Sequence, residues 1–311
     1  MSVTPPTTLL TGASGFVGRH ALAPLAARGH RIVAVSRRRP LWAPEGVRWV
    51  EADLLDEAGR AHAVAAAGGA THLLHFAWYA EHGKFWHAPD NRRWADATGD
   101  LVARFAAAGG RRAVGAGSCA EYDWTLGGVD AFREGDDARG APQTPYGVEK
   151  LRAARALLGR PGLSAAWGRI FYVFGEHESP ARLVPSVARA LASGGVARIG
   201  PGEQLCDFLD VRDAAEAFVA LLESGAEGAV NVGSGERVRV ADLARLLADL
   251  AGRPGALEVG ALPPRPGEPP RLVPDLARLR AEVGFRPARS LREGLGDTLA
   301  YWRRQPAPGL T

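Results

Sequence analysis

At 311 residues the chain has material for one large domain or two smaller ones, with an ample core. Its composition, 46% apolar and 23% charged, is that of an ordinary globular protein, and no apolar run approaches the ~20 residues a bilayer span needs. Only two cysteines are present, Cys119 and Cys206, too far apart for a disulfide framework or a metal-binding spacing, so no metal site is expected. The first six residues hold neither the basic nor the apolar segment of a secretory signal, so a cytoplasmic location is expected. A net charge of +4 is spread over scattered arginines, with Arg37-Arg38-Arg39 the one short run, which speaks against a nucleic-acid partner.

In chain order, residues 8–10 read as a first strand that runs into a glycine-rich turn and a helix over 16–28. Further strands are expected at 31–35, 47–50 and 72–77, a long helix at 92–108, and strands at 112–115 and 165–172. Such alternation predicts an α/β fold, a doubly wound parallel sheet of the Rossmann type with right-handed crossovers. Beyond residue 174 the chain is richer in Gly and Pro, with helices expected at 183–193, 214–223 and 240–251 and a proline-rich loop at 262–274. Ser290 and Glu293 read as a capping box opening a last helix. The expected division is a dinucleotide-binding domain over 1–172, with 206–225 returning to it, and a smaller substrate domain over 173–205 and 226–305.

Gly12, Gly15 and Gly18 form G-x-x-G-x-x-G between the first strand and its helix. About half an occurrence of that spacing is expected by chance in so Gly-rich a chain, so position carries the signal. After a strand and before a helix, the glycines permit a tight turn and close backbone approach to a pyrophosphate. Ser36, Arg37 and Arg38 follow the second strand, where a carboxylate would favour NAD(H). A hydroxyl and guanidiniums instead accept a 2′-phosphate, so NADP(H) is favoured, with NAD(H) possible. Asp53, after the third strand, can accept from the adenine amino group or cap the next helix.

Tyr146 and Lys150 are four apart, after Thr144-Pro145, which read as an N-cap and first helical position. The spacing puts both on one helix face. With five tyrosines and two lysines in the chain, only about 0.03 Tyr-x-x-x-Lys pairs are expected by chance. An adjacent ammonium favours phenolate, making Tyr146 an acid/base group for carbonyl–alcohol interconversion, and Ser118 can polarise the same oxygen.

The run from Thr11 to Gly18, Ser118 with Tyr122 four residues on, and Tyr146 with Lys150 resemble an extended short-chain dehydrogenase/reductase, more narrowly the NAD(P)-dependent epimerase/dehydratase group acting on nucleotide sugars. The resemblance continues through Gly168-Arg169-Ile170-Phe171, the stretch from Asp207 to Asp213, Val230-Asn231-Val232-Gly233, Arg265-Pro266-Gly267-Glu268 and Phe285-Arg286-Pro287. It implies an enzyme with Ser118, Tyr146 and Lys150 as catalytic trio. Cofactor contacts are then expected at Gly12, Ser14, Gly15, Phe16, Val17, Gly18, Ser36, Arg37, Arg38, Asp53, Leu54, Phe76, Ala77, Trp78, Tyr146, Lys150 and Tyr172. Substrate contacts are expected at Lys84, Cys119, His177, Arg182, Leu183 and Arg265, the last as a diphosphate contact. Relatives often pair through the helices that carry Trp94 and Tyr146 here, so a homodimer is expected.

Departures narrow the reading. Sugar dehydratases of the group carry Asp-Glu after the catalytic hydroxyl, where Cys119-Ala120 stand here, so elimination of water is not expected. Cys119 and His177 suggest an epimerase/reductase of the GDP-fucose synthase type, although Cys119 is one residue from Ser118 rather than two. Tyr172 and Trp94 replace frequent asparagines, and the loop 78–86 is a candidate sugar wall or a packed surface loop. The leading expectation is NADPH-dependent reduction of a nucleotide-diphosphate 4-keto-6-deoxysugar. The alternatives are an NAD-dependent 4-epimerase, the GDP-fucose synthase type, and a catalytically silent NADP sensor.

Overall fold

The computed structural model describes residues 5–126, 128–264 and 267–305. Its strands are β1 (Thr7–Thr11), β2 (Arg31–Ser36), β3 (Arg48–Glu51), β4 (His72–His75), β5 (Arg112–Ser118), β6 (Ser164–Ile170), β7 (Tyr172–Phe174), β8 (Ala197–Ile199), β9 (Leu205–Cys206), β10 (Phe208–Asp210), β11 (Gly228–Val232), β12 (Val238–Arg239), β13 (Leu257–Val259) and β14 (Arg271–Leu272). Its helices are α1 (Gly18–Ala27), α2 (Glu57–Ala66), α3 (Asp90–Ala107), α4 (Pro145–Leu158), α5 (Leu183–Ala192), α6 (Val211–Glu223), α7 (Val240–Leu250), α8 (Ala277–Ala281) and α9 (Leu291–Arg304).

Seven strands form one parallel sheet in the order β11-β6-β5-β4-β1-β2-β3. The chain moves outward from β1 through β2 to β3, then returns to place β4 on the other side of β1. The β1/β4 boundary is therefore the switch point, and ligands bind such sheets beyond the carboxyl ends of the strands there. Alternate residues face opposite layers. Leu10, Ala34, Leu74, Val114, Ala166 and Val230 join α1 and α6 on one face. Leu9, Val33, Leu73, Ala113 and Trp167 join α3 and α4 on the other. A third cluster, built on α5, α7 and α9, is the core of the smaller lobe and reaches Cys119 and Tyr122 beneath the sheet edge.

Three expectations are corrected. The strand expected over 165–172 breaks at Phe171: β6 stays in the large sheet, while β7 pairs with β10. The strand β11 also belongs to the large sheet, although 226–305 was assigned to the other lobe. Its pairing partner lies some sixty residues upstream, and a five-residue strand carries no local sign of such a register. The proline-rich stretch 262–274 holds the short strand β14, paired with β9. Ser290 caps α9 reciprocally with Glu293, as the sequence predicts.

Candidate active site

Gly12 turns the chain off β1 at φ 67°, a conformation open to glycine. A Cβ there would lie 2.7 Å from the Ala77 amide nitrogen and 2.8 Å from the Phe76 carbonyl carbon. One on Gly18 would lie 2.2 Å from the Gly12 carbonyl oxygen. Both glycines are thus imposed by close backbone approach, which brings the ends of β1 and β4 against the start of α1. Gly15 donates its amide to Gly12 O at 2.9 Å, closing the turn, and Ser14 and Gly15 stay exposed, with Phe16 and Val17 half-buried beside them. Backbone amides at a helix start, with no side chain above them, fit the pyrophosphate of a dinucleotide.

At the end of β2 the Ser36 hydroxyl donates to Arg38 O at 2.7 Å and shapes the loop on which Arg37 and Arg38 are exposed. Glu51, paired with Ser36 across the β2–β3 ladder, accepts from the Arg39 amide at 2.9 Å. The Asp53 carboxylate accepts from Leu55 N at 2.9 Å, a local turn, while Leu54 packs into the core.

Ser118 ends β5 at the sheet's carboxyl edge. Its Oγ accepts from Ala120 N at 3.2 Å, which occupies a lone pair and leaves the hydroxyl proton to point elsewhere. Tyr146 and Lys150 lie on α4, whose N-cap Thr144 accepts from Gly147 N at 3.1 Å. The Tyr146 phenol is close enough to Ser118 to be influenced by it, and Lys150 Nζ, which donates to Ala116 O at 2.8 Å, lies 5.9 Å from the centre of the Tyr146 ring, so the three predicted groups share one neighbourhood. Burial raises the Tyr146 phenol above its ordinary pKa, with the nearby Ser118 opposing the rise. Burial also pulls the Lys150 ammonium down to about 7, partly countered by Glu121.

Behind Ser118 lies a buried ionic network. Glu121, 0% exposed, accepts from Ser118 N at 2.7 Å, Trp167 Nε1 at 2.9 Å and Arg169 Nε at 2.7 Å. Arg169 continues to Tyr122 Oη at 3.1 Å and Asp137 at 2.5 Å, and Tyr122 donates to Asn231 at 2.6 Å. With every donor met, the network fixes the backbone at Ser118.

In front, aromatic rings surround Tyr146: Phe85 at 4.8 Å, Trp86 at 5.7 Å and Trp78 at 6.4 Å between centroids, all edge-on. Trp124 meets Trp86 at 5.8 Å and donates its Nε1 to Cys119 O at 2.9 Å. Trp78 lies 3.9 Å from Lys150 Nζ and stacks on Trp94, which accounts for the tryptophan on α3.

A family model for the NAD dependent epimerase/dehydratase family matches residues 8–233, which carry the glycine turn and the whole trio. The chain belongs to this family. The family makes the protein an NAD(P)-dependent enzyme of the oxidoreductase/epimerase kind. It is 30% identical over 96% of its length, and 96% of the relative's, to a dTDP-4-dehydro-6-deoxy-D-allose reductase of Streptomyces bikiniensis. A UDP-glucuronic acid decarboxylase 1 of Xenopus tropicalis is 31% identical over 48% of this chain, which spans 36% of that protein. Among solved structures, a UDP-glucose 4-epimerase of Thermus thermophilus in complex with NAD superposes with a TM-score of 0.81 at 26% identity, covering 96% of this chain and 99% of that one.

Around this epimerase/dehydratase-family trio the remaining predicted residues divide. Cys119 and Arg182 lie close enough to act electrostatically on both Tyr146 and Tyr172. The Cys119 thiol is pushed up to about 12 by burial, so it is inert as an acid or base near neutral pH. Tyr172 stacks on Phe208 at 5.3 Å. Arg182 pairs with Glu178 at 3.0 Å and precedes Leu183, the first residue of α5. His177 points away from Cys119: its ring is hydrogen-bonded to Tyr301 Oη at 2.9 Å and lies 6.2 Å from His20. Lys84 is paired with Glu81 at 2.6 Å on an exposed turn and does not join the trio. Arg265 lies outside the described residues. His75 is a satisfied core histidine, hydrogen-bonded to Thr11 and Thr98.

Two groups escape the sequence reading. Glu121 had a signal, since Ser118-x-x-Glu121 is a capping-box spacing. Asn91 had none, because its partners Trp78 and Phe85 are met only through tertiary folding.

Proposed function

We propose that this chain is an NADPH-dependent reductase of a nucleotide-diphosphate 4-keto-6-deoxysugar. The observation that carries the reading is the convergence of half-buried Ser118 and Tyr146 with buried Lys150, in surroundings that raise the Tyr146 phenol above its ordinary pKa. A protonated phenol is the form that reduction uses, because the new alkoxide oxygen needs a proton. The Ser118 hydroxyl polarises the carbonyl oxygen, and the Lys150 ammonium eases departure of the proton from Tyr146 and holds the cofactor ribose. When bound, the nicotinamide dinucleotide supplies the hydride.

The glycine turn from Gly12 to Gly18, with Ser14, Phe16 and Val17, would hold the pyrophosphate, and Phe76, Ala77, Trp78 and Tyr172 would flank the nicotinamide end. Asp53 and Leu54 would flank the adenine. Ser36, Arg37 and Arg38 favour a 2′-phosphate, since exposed guanidiniums pair with phosphate bidentately. Cys119-Ala120 provide no acid/base pair for dehydration. Arg182 and Leu183 are assigned to the nucleotide side of the cleft between the lobes, Arg265 to the diphosphate and Lys84 to the outer rim. A homodimer in the cytoplasm completes the proposal.

The test is oxidation of NADPH and NADH by purified protein offered CDP-, dTDP- and GDP-linked 4-keto-6-deoxyhexoses. Turnover with NADPH well above NADH supports the reductase, and the preferred base names the substrate. No oxidation of either, with NAD(H) co-purifying, overturns it in favour of a 4-epimerase.

A further inference from the structure

The aromatic rings against Tyr146 come from a segment with little regular structure of its own. Between Trp78 and α3 the chain makes an exposed turn, where Glu81 O accepts from the Lys84 and Phe85 amides, and then one 3₁₀ turn, Phe85–His87. Phe85, Trp86 and Trp78 are each only half-buried, so packing on Tyr146 alone does not lock them. One polar side chain ties the two ends of the segment together. Asn91, 1% exposed, accepts from Trp78 Nε1 at 2.9 Å and donates its amide to Phe85 O at 2.6 Å.

Both hydrogen bonds lead to the reacting groups. The Trp78 indole, fixed at its N–H by Asn91, presents its face to Lys150 Nζ at 3.9 Å and its edge to Tyr146. The Phe85 carbonyl, fixed by the amide, sets the 3₁₀ turn whose two aromatic rings border the phenol. A desolvated ammonium over an indole is held by an attraction that falls steeply with displacement. Asn91 itself touches none of the reacting atoms.

We propose that Asn91 is a positioning residue for catalysis: by clasping Trp78 to Phe85 it sets the aromatic wall that orients Tyr146 and Lys150. This rests on the reading of Tyr146 and Lys150 as the catalytic pair. The roles demanded of position 91 are one acceptor and one donor, which asparagine supplies at any pH. A neutral aspartic acid supplies both as well, whereas an aspartate has no donor and sets a negative charge against the Phe85 carbonyl.

The test compares wild type, Asn91→Ala and Asn91→Asp by NADPH-linked kcat and KM between pH 5.5 and 8.5, with the melting temperature of each. Taking ratios to wild type removes the titration of Lys150 that the variants share with it. Asn91→Ala is expected to lose about 10- to 100-fold in kcat, with KM for the sugar changed far less. Asn91→Asp is expected to be as impaired as the alanine variant at pH 8.5 and to recover towards wild type as pH falls and the buried carboxyl protonates. A flat Asp/wild-type ratio across pH, or an alanine variant with wild-type kcat, overturns the proposal. If Asn91→Ala fails to fold, the pH dependence of the aspartate ratio decides alone. Tyr146→Phe separates the two readings: if it keeps turnover, the catalytic assignment itself fails, and if it is inactive while Asn91→Ala is unimpaired, only the clasp fails.

Discussion

Replacing Lys150 by methionine should give an inactive protein that is more stable than the original near neutral pH. The lysine is 4% exposed, and burial brings its pKa from 10.5 to about 7. A depression of that size corresponds to about 4 kcal/mol of native-state destabilisation at pH 7. Methionine has a similar length and no charge, but it forfeits the hydrogen bond to Ala116 O and the contact with Trp78, together about 1–2 kcal/mol. The net expectation is a gain of about 2–3 kcal/mol, or about 3–5 °C in Tm for a chain of this length. The pH dependence has a definite sign. Below pH 7 both folded and unfolded lysine are protonated, and the native state carries the full burden. Between about 7 and 10.5 the native state releases its proton while the unfolded state keeps it, so wild-type stability climbs towards that of the variant. Thermal melts of both proteins at pH 6.5 and 9.5 check this. A variant less stable than wild type at pH 6.5, or a difference that does not shrink by pH 9.5, refutes the reasoning.

Tyr146→Phe removes the proton donor and should lower kcat by about 10²–10⁴ with NADPH binding retained, which fluorescence titration and turnover assays separate. Gly12→Ala places a Cβ 2.7 Å from the Ala77 amide at a positive φ, so it should abolish cofactor binding and lower Tm, as read by titration and thermal melts. Reversing charge at both Arg37 and Arg38 to glutamate should raise KM for NADPH at least about tenfold and leave NADH nearly unchanged, in steady-state assays of the two cofactors. Glu178 is buried with Oε2 lacking a partner, and burial raises its pKa to about 8 despite Arg182. Because the folded pKa lies above the unfolded one, stability is full at low pH and is lost as pH rises towards 8. Glu178→Gln should therefore match wild type near pH 4.5 and exceed it by about 4 kcal/mol at pH 8.5, measured by denaturant melts.

The sheet and the trio were legible for a physical reason. Parallel strands covered on both faces, such as β2 and β5, read as short apolar runs, and Tyr146 with Lys150 are joined by one helical turn, a local rule. What stayed hidden depends on pairing between distant segments. β11 joins β6 across some sixty residues of intervening chain, and β7 splits from β6 because β10 offers it a different partner. The same holds for side chains. Cys119 and His177 looked like a possible dyad by position, yet the backbone carries His177 to Tyr301 while Cys119 faces the apolar core. Lys84 was expected at the substrate from its place in the loop 78–86, and it pairs instead with Glu81, three residues away.

The site is built by opposite means on its two sides. Behind Ser118 the chain commits full charges to the interior: Arg169 is 1% exposed between Glu121 and Asp137. Breaking such a pair by removing one partner strands a buried charge and costs about 3–5 kcal/mol, so this side tolerates little movement. In front, the wall of Trp78, Phe85, Trp86 and Trp124 is apolar and half-exposed, with single hydrogen bonds at the indoles of Trp78 and Trp124. A carbonyl brought between the two sides would meet a hydroxyl donor fixed by the Glu121 network and a wall in which Asn91 clasps Trp78 and Phe85 while Trp86 and Trp124 lie outside that clasp. That division suits a reaction in which the oxygen must be held to a fraction of an ångström while its substituents differ. Geometry then rests on the Glu121 network and the Asn91 clasp, and substrate choice on Trp86 and Trp124. Exchanges at Trp86 or Trp124 should therefore alter preference among sugars more than the rate with the best one, and exchanges at Glu121 should do the reverse.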